Sequence, residues 1–444
     1  MTEPTEIGAP WASRESFELE LRDYCSGLFG TLPRADQRRS GEAYVRGLLG
    51  GHGRKSIRRI ATERVDGYSD QSLQQFVNQS PWDPQPVRQR LARLTAEVLR
   101  PTGWVLEETV FPKHGRHSAA VERQFVPSRG RVCNCQLGLS VLLANEYLSV
   151  PVHWLLAIPL SWDRDKARRD RARIPADQRS RPYWRYQVEA LDDMSGDWGI
   201  PTAPAIIDAR STTGLADLLA ELDGRCLEYL VEVSGNATAQ WRTSAHGTGH
   251  GTAFGVAHGT AHGTAHGTAH GTAHGAVDGP PGTGQNGAAR HGTVAEFART
   301  AAQPERRLVA WREPLRGRTM RAQFSALPMV SAAGGGHRGG PANPPRSPRL
   351  LLVEWPLGKS EPRAFWITNM VDRPVPELTA LAKLRLRTQQ DLEMLSSQFG
   401  LCDYEGRSFR GWHHHVTLAS MAYAFDTLHR RAAAAPAVQH AVGD

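Results

Sequence analysis

The 444-residue chain is poor in cysteine, with only five thiols (Cys25, Cys133, Cys135, Cys226 and Cys402). None is spaced as a zinc ligand set. Cys133 and Cys135 flank Asn134 in an apolar run, where strand periodicity turns both to one face as buried free thiols. A disulfide-stapled fold is thereby excluded, and a reduced, cytoplasmic (nucleoid-associated) setting is expected. Also missing is any apolar run near the 18 residues of a membrane span. The opening residues MTEPTEIGAP lack the basic and apolar regions of a secretory signal, so export is not expected. Acid is in short supply as well. Lys and Arg number 53 against 45 Asp and Glu, a formal charge of +8. That excess suits a polyanionic partner, either nucleic acid or an anionic membrane surface, and composition does not separate the two. The length leaves room for two or three structural units.

Apolar residues recur at three- and four-residue spacing in FELELRDYCSGLF, EAYVRGLLG and VRQRLARLTAEVL. This predicts a helical domain over 13–99 after a flexible tail at 1–12. Residues 34–64 carry nine Arg or Lys against three acids. One reading is a solvated helix face. The sharper one sets Arg54 over Arg58 and Lys55 over Arg59, one helical turn apart, as a stripe that tracks phosphates.

From Trp104 the texture is α/β. WVLEET, VCNCQLGLSVLLA, VPVHWLLAIPL, APAIIDA and LEYLVEV read as strands, with helices near 183–199 and 213–223. Residues 241–303 are low-complexity. An Ala-His-Gly-Thr period places histidines at 246, 250, 258, 262, 266, 270 and 274. Such a segment reads as a disordered insertion, the rival being a zinc- or nickel-sequestering element. The following GPPGTGQNG imitates a phosphate loop. Gln285 and Asn286 replace the lysine and hydroxyl that the chemistry needs, so no nucleotide site is expected. Strand-like runs return over 304–376 around a Gly/Pro-rich hinge at 333–348. Helices over 377–432 and a flexible tail at 433–444 complete the chain.

Two acidic positions close strands, where α/β sheets tend to place functional groups: Glu107–Glu108 and Asp208. A carboxylate there is often only a loop or cap residue. Beside a basic helical domain, convergent carboxylates also suit two Mg²⁺ ions and phosphoryl transfer. A basic stretch at 164–181, with Arg168, Arg169, Arg171 and Arg173, can line a DNA groove. Arg407, Arg410 and His413–His415 read either as a solvated helix start or as DNA-proximal. Trp412, Val416, Leu418, Met421 and Phe425 form an apolar stripe expected in the core.

GLLGGHGRKSIRRIA, WVLEETVFPKHGRHSAAVERQF, Ser161–Trp162, APAIIDA, ELTALAKLRLRTQQD and GLCDYEGRSFRGWHHHVTLASMAYAF occur in this order. In them the chain resembles the bacterial insertion-sequence transposases of the DDE type, in particular the family numbered 701. The resemblance implies an RNase H-like catalytic core, first part 100–240, interrupted by a β-rich insertion and completed by the C-terminal helices. It implies double-stranded DNA as partner (terminal inverted repeats in a mobile element), action as a dimer, Mg²⁺ where cleavage is retained, and Arg385, Arg407 and Arg410 near DNA.

Carried over position by position, the implied triad is Glu107, Asp208 and Gln389. Glu107 stands where the family has Asp, Gln389 where it has Glu, and Ser396 where it has Lys. Arg210–Ser211 replace the usual Gly-Tyr. Only Asp208 is unchanged, so Glu107 and Asp208 are the metal-ligand candidates. Asp to Glu displaces the carboxylate by roughly 1.5 Å, and a misplacement of about 1 Å can cost on the order of a hundredfold in rate. Glu to Gln removes a charge facing two divalent cations. Compensation by Glu393, Glu108 or Glu405 is the route to retained cleavage. The expectation is a DNA-binding transposase homologue with impaired or lost cleavage, a relic or a domesticated regulator. The rival is an active transposase that cuts terminal inverted repeats with two Mg²⁺ ions.

Overall fold

The computed structural model describes residues 14–51, 53–63, 67–242, 289–300, 306–314, 317–329 and 348–439. The tail expected at 1–12, the histidine repeat, the GPPGTGQNG segment and most of the hinge at 333–348 lie outside them.

The chain opens with five helices: α1 (Arg14–Phe29), α2 (Ala35–Leu49), α3 (Ile57–Glu63), α4 (Asp70–Asn78) and α5 (Pro84–Leu99). Their limits follow local chemistry. The Ser69 hydroxyl accepts from Ser72 N at the start of α4. At the start of α5 the Asp83 carboxylate accepts from Gln85 N, ahead of a first-turn proline. That helix ends where Arg100 turns left-handed and Pro101 forbids continuation.

β1 (Gly103–Pro112), β2 (Glu122–Val126), β3 (Arg131–Ala144) and β4 (Ser149–Leu156) follow. Then come α6 (Leu160–Asp163), α7 (Lys166–Ala172), α8 (Tyr183–Ser195), β5 (Ala205–Asp208), α9 (Leu215–Gly224) and β6 (Tyr229–Val233). β3 runs antiparallel to both β1 and β4. β5 is parallel to β1, and β6 is parallel to β5. The order β4-β3-β1-β5-β6, three antiparallel strands then two parallel to the first, is the RNase H-like arrangement.

β7 (Thr238–Arg242) and β8 (Ala289–Thr293) pair as a separate ribbon, followed by α10 (Val294–Thr300). β9 (Arg307–Arg312), β10 (Thr319–Met329), β11 (Arg349–Pro356) and β12 (Ala364–Thr368) then continue the main sheet, because β12 pairs antiparallel with β6. The β-rich segment is therefore joined to the core by main-chain hydrogen bonds. α11 (Val375–Gln398) and α12 (Phe409–Gln439) finish the chain.

Both faces of the sheet are covered, which explains the nearly unbroken burial along β1. On one face Val105, Ile206, Leu230, Leu352 and Trp366 pack under Leu378, Leu381 and Leu384 of α11. On the other, Leu106, Ile207 and Val231 join a larger core with α12 and the N-terminal helices. Trp412, Val416, Leu418, Met421 and Phe425 are fully buried there, as the apolar stripe predicted. Gly138 on β3 is needed for this packing: a Cβ would stand 2.8 Å from the Phe111 ring and 3.0 Å from that of Trp412.

Three sequence expectations require correction. α3 begins at Ile57, so Arg54 and Lys55 precede it and the four basic residues form no helical stripe. Three glycines at 50, 51 and 53 supply the break. His413–His415 are neither solvated nor at a surface but buried in α12. Of the two strand thiols, Cys135 is buried whereas Cys133 is only half-buried.

Candidate functional site

The parallel register brings acids into a row. Val105, Ile206 and Leu230 lie side by side on β1, β5 and β6, on the α11 face. Two residues on, alternation returns Glu107, Asp208 and Glu232 to that face, with Asp208 directly paired to Glu232. Adjacent strands stand about 4.8 Å apart, so the three carboxylates meet where β5 and β6 end; β1 runs on to Pro112, so Glu107 lies mid-strand and does not close its strand as the sequence suggested.

A guanidinium occupies the middle of the row. Arg385, from α11, donates through Nε to Glu107 Oε1 at 3.0 Å and through Nη2 to Glu107 Oε2 at 3.1 Å. The same Nη2 lies 3.0 Å from Asp208 Oδ2, and Nη1 donates to Glu232 Oε2. The Thr388 hydroxyl, one turn later, donates to Glu107 Oε1 at 2.9 Å. From outside, Arg210 closes on Asp208 with Nε to Oδ1 at 3.0 Å and Nη2 to Oδ2 at 2.6 Å, and Nη1 stands 3.4 Å from Glu232. Its backbone N–H also donates to Asp208 Oδ1. Bidentate contacts of this kind combine charge with matched geometry.

The electrostatics follow. Burial pushes the Asp208 carboxyl up, but the Arg210 hydrogen bond and the Arg385 charge outweigh it and hold the pKa below the usual value. Burial opposes the Arg385 charge, yet Glu107 and Asp208 drive its pKa upward. Glu108, on the opposite side of the strand, is raised by burial, against a hydrogen bond from Ser128 at 3.2 Å.

Of the expected triad, Glu107 and Asp208 come together. Gln389 is exposed on α11, and Arg385, four residues earlier, takes the position between the acids. Ser396 is half-buried, its hydroxyl 3.9 Å from the Cys402 sulfur. Glu393 is exposed, and Glu405 pairs with Arg54 at 2.7 Å.

The expected DNA contacts divide. Lys55 is buried, and its ammonium donates to the carbonyls of Gly50 and Gly51. Arg385 is buried in the acid row. Arg58, Arg407 and Arg410 are exposed, and Arg59 is half-buried. In the 164–181 stretch, Arg169 is buried against Asp163 and Arg168 stacks 3.8 Å over Trp162, while Arg171 and Arg173 are exposed.

Sequence reading missed Glu232 and the engagement of Arg210. Glu232 gave one signal, a charged residue within the otherwise apolar LEYLVEV. Its meaning depends on the register with Asp208.

A divalent-metal site would have to draw on these same carboxylate oxygens. Both oxygens of Glu107 and of Asp208 already accept hydrogen bonds from guanidinium, hydroxyl or backbone donors. The space between the acids is filled by a cation that would repel a second one. Among the described residues no group of three or more His, Cys, Asp or Glu is arranged to hold a metal ion. As arranged, the residues do not fit the Mg²⁺ pair.

No helix among the described residues is long and apolar enough to cross a membrane. The solved structures include a similar one, a piggyBac transposase synaptic complex with hairpin DNA. It is 10% identical, with a TM-score of 0.41 over 97% of this chain and 77% of that one. No curated protein sequence matches the chain. A family model described as DDE superfamily endonuclease matches residues 27–253, more than half of the sequence, and the chain belongs to that family.

Proposed function

We propose that this protein is a transposase-family DNA-binding protein in which strand cleavage is impaired or lost, derived from the DDE insertion-sequence family numbered 701. The observation that carries the reading is Arg385. Its guanidinium bridges Glu107, Asp208 and Glu232 at the point where a cleaving enzyme gathers acids around divalent ions. Glu107 in an aspartate's position and the neutral Gln389 in a glutamate's agree with that loss. Asp208 keeps its identity, but one unaltered acid does not make a two-metal site.

Duplex DNA is the partner this reading assigns. The net charge of +8 and the exposed Arg58, Arg407 and Arg410 favour it. Phosphate contacts of this kind position a protein without reading sequence. Dimerisation across two DNA ends belongs to the same reading.

The test is a nicking assay on supercoiled plasmid with Mg²⁺ or Mn²⁺. The expected result is no nicking by the wild-type protein and measurable nicking only when Arg385→Gln is added to Glu107→Asp and Gln389→Glu. Wild-type nicking that disappears in Asp208→Ala overturns the reading and restores the active transposase.

A further inference from the structure

The β9–β10 hairpin ends the sheet, far along the strand order from the acid row. One face is accounted for: Val309, Ala322 and Phe324 are buried against α11, with Trp311 half-buried beside them. Among the described residues the other face has no such cover. Leu308, Ala310 and Arg312 alternate with the buried positions on β9, and all three are exposed. Their register partners on β10 are Gln323, Arg321 and Thr319, of which Arg321 and Thr319 are exposed and Gln323 is half-buried.

The charge on this hairpin is one-sided. Residues 306–321 read RRLVAWREPLRGRTMR, six arginines and a single acid, Glu313. Arg306 stacks 4.3 Å over Trp355. Arg307, Arg312, Arg318 and Arg321 are exposed, and among the described residues none of them forms an ion pair with a carboxylate. By contrast, Arg349 on β11 pairs with Asp223, and Arg363, just before β12, pairs with Glu354. One or two charges suffice to deter edge-to-edge pairing of an edge strand. Arg312 and Arg321 on the outward face and Arg318 beside the turn, with a threonine and a glutamine on the same face, exceed that need.

We propose that the outward face of the β9–β10 hairpin is a docking surface for duplex nucleic acid, with Arg312, Arg318 and Arg321 as its phosphate contacts. Arg312 and Arg321 occupy diagonal cross-strand positions, about 7–8 Å apart, and so present two guanidiniums side by side. Thr319 and Gln323 add hydrogen-bond donors for phosphate oxygens without sequence preference. The rigid sheet fixes this spacing before binding, which limits the ordering cost. The surface rests on the DNA-binding reading given above and adds a contact area that neither the acid row nor the N-terminal arginines supply.

The experiment uses the full chain and a labelled duplex of random sequence, with affinity measured by anisotropy across a salt series. Each phosphate contact contributes about 0.9 to the slope of log affinity against log salt. The triple variant Arg312→Ala, Arg318→Ala, Arg321→Ala is expected to lose about 2.7 units of slope. Circular dichroism and thermal melting check that it folds, and Lys substitutions at the same positions are expected to retain most of the slope. A folded triple variant with an unchanged slope overturns the docking surface alone. So does one whose DNA binding is intact but whose self-association is altered, which makes the hairpin an edge for strand pairing. A wild-type chain that fails to bind duplex at low salt overturns the DNA-binding reading itself.

Discussion

Replacing Arg385 by methionine keeps much of the side-chain volume and removes the charge. Glu107, only 6% exposed, would then be left with the Thr388 hydroxyl, while Asp208 and Glu232, the latter 13% exposed, would keep Arg210. Removing one partner of a buried ion pair costs about 3–5 kcal/mol, because the remaining charge stays desolvated. Arg385→Met is therefore expected to lose about that much stability at pH 8. The sign of the pH dependence is fixed by the acids left behind. In wild type, burial raises the Asp208 carboxyl, but the Arg210 hydrogen bond and the Arg385 charge outweigh it and hold its pKa below the usual value. A lowered group stabilises the fold above its unfolded pKa, and that contribution is lost as pH falls through the folded value. The variant lacks the Arg385 part of it, so the deficit against wild type must shrink as pH falls below about 4. Divalent cations supply a second arm. An emptied acid row can accept Mg²⁺, and a ligand at about 100 times its dissociation constant stabilises by about 2.7 kcal/mol. Urea unfolding followed by the fluorescence of the 12 tryptophans reads both effects. A variant as stable as wild type at pH 8, a deficit that ignores pH, or an equal Mg²⁺ response in the two proteins refutes the reasoning.

Arg58→Ala, at an exposed position on α3, should lower the salt slope of duplex binding by about one unit; an unchanged slope in the anisotropy titration removes Arg58 from the contact set. His415 is held neutral, with Tyr44 Oη 3.0 Å from Nδ1 and Nε2 donating to Gly400 O at 3.0 Å, and burial pushes its pKa down to about 4. Because that folded value lies below the ordinary 6.5, stability is complete above pH 6.5 and declines by about 3 kcal/mol as pH falls to about 4. His415→Gln should remove this part of the slope in urea unfolding, and a slope left intact assigns the titration elsewhere. Arg210→Gly, added to the double variant Glu107→Asp, Gln389→Glu, removes both Arg210 side-chain hydrogen bonds to Asp208 and should strengthen Mn²⁺ binding by calorimetry; equal binding with and without Arg210 shows that Arg385 alone controls the row.

Much of this was legible in the sequence, for identifiable reasons. The strand-like runs WVLEET and APAIIDA carried Glu107 and Asp208, and the structure brings the two together, although β1 continues to Pro112 and leaves Glu107 mid-strand. The helix over ELTALAKLRLRTQQD was equally plain. Its azimuth was not: whether Arg385 or Gln389 turns toward the acids depends on how α11 seats on Val105, Ile206 and Leu230. Glu232 was hidden for a related reason, since its neighbour Asp208 is a register partner 24 residues away in sequence, on another strand. Lys55 misled because the basic run was read as continuous helix across glycines 50, 51 and 53. At Gly400 the backbone has φ of 69°, and a Cβ there would lie 2.5 Å from the Lys55 Cβ, so the lysine is enclosed by a turn hundreds of residues away. The histidines of α12 misled in the opposite direction. Three consecutive helical residues point about 100° apart, so their joint burial requires a helix surrounded on all sides, a property of the packed domain.

The acid row explains why the fold tolerates arginine at its centre. Parallel strands in register hold three carboxylates about 5 Å apart, and at an effective dielectric near 20 each adjacent pair repels by about 3 kcal/mol. A backbone of this topology with those three acids therefore requires a cation between them or protonation of the acids. Divalent ions meet the requirement only while they are bound, whereas a guanidinium carried on α11 meets it permanently and adds directed hydrogen bonds. Arg385 and Arg210 together leave the row with a net charge of −1, three carboxylates against two guanidiniums. At that charge the attraction for a second, external cation is weak, and displacing Arg385 would strip hydrogen bonds from Glu107, Asp208 and Glu232 at once. Stability of the core and affinity for metal thus draw on the same oxygens. A sequence that fixes the first through arginine gives up the second, while the surfaces proposed to meet phosphates lie elsewhere on the chain and are untouched by the exchange.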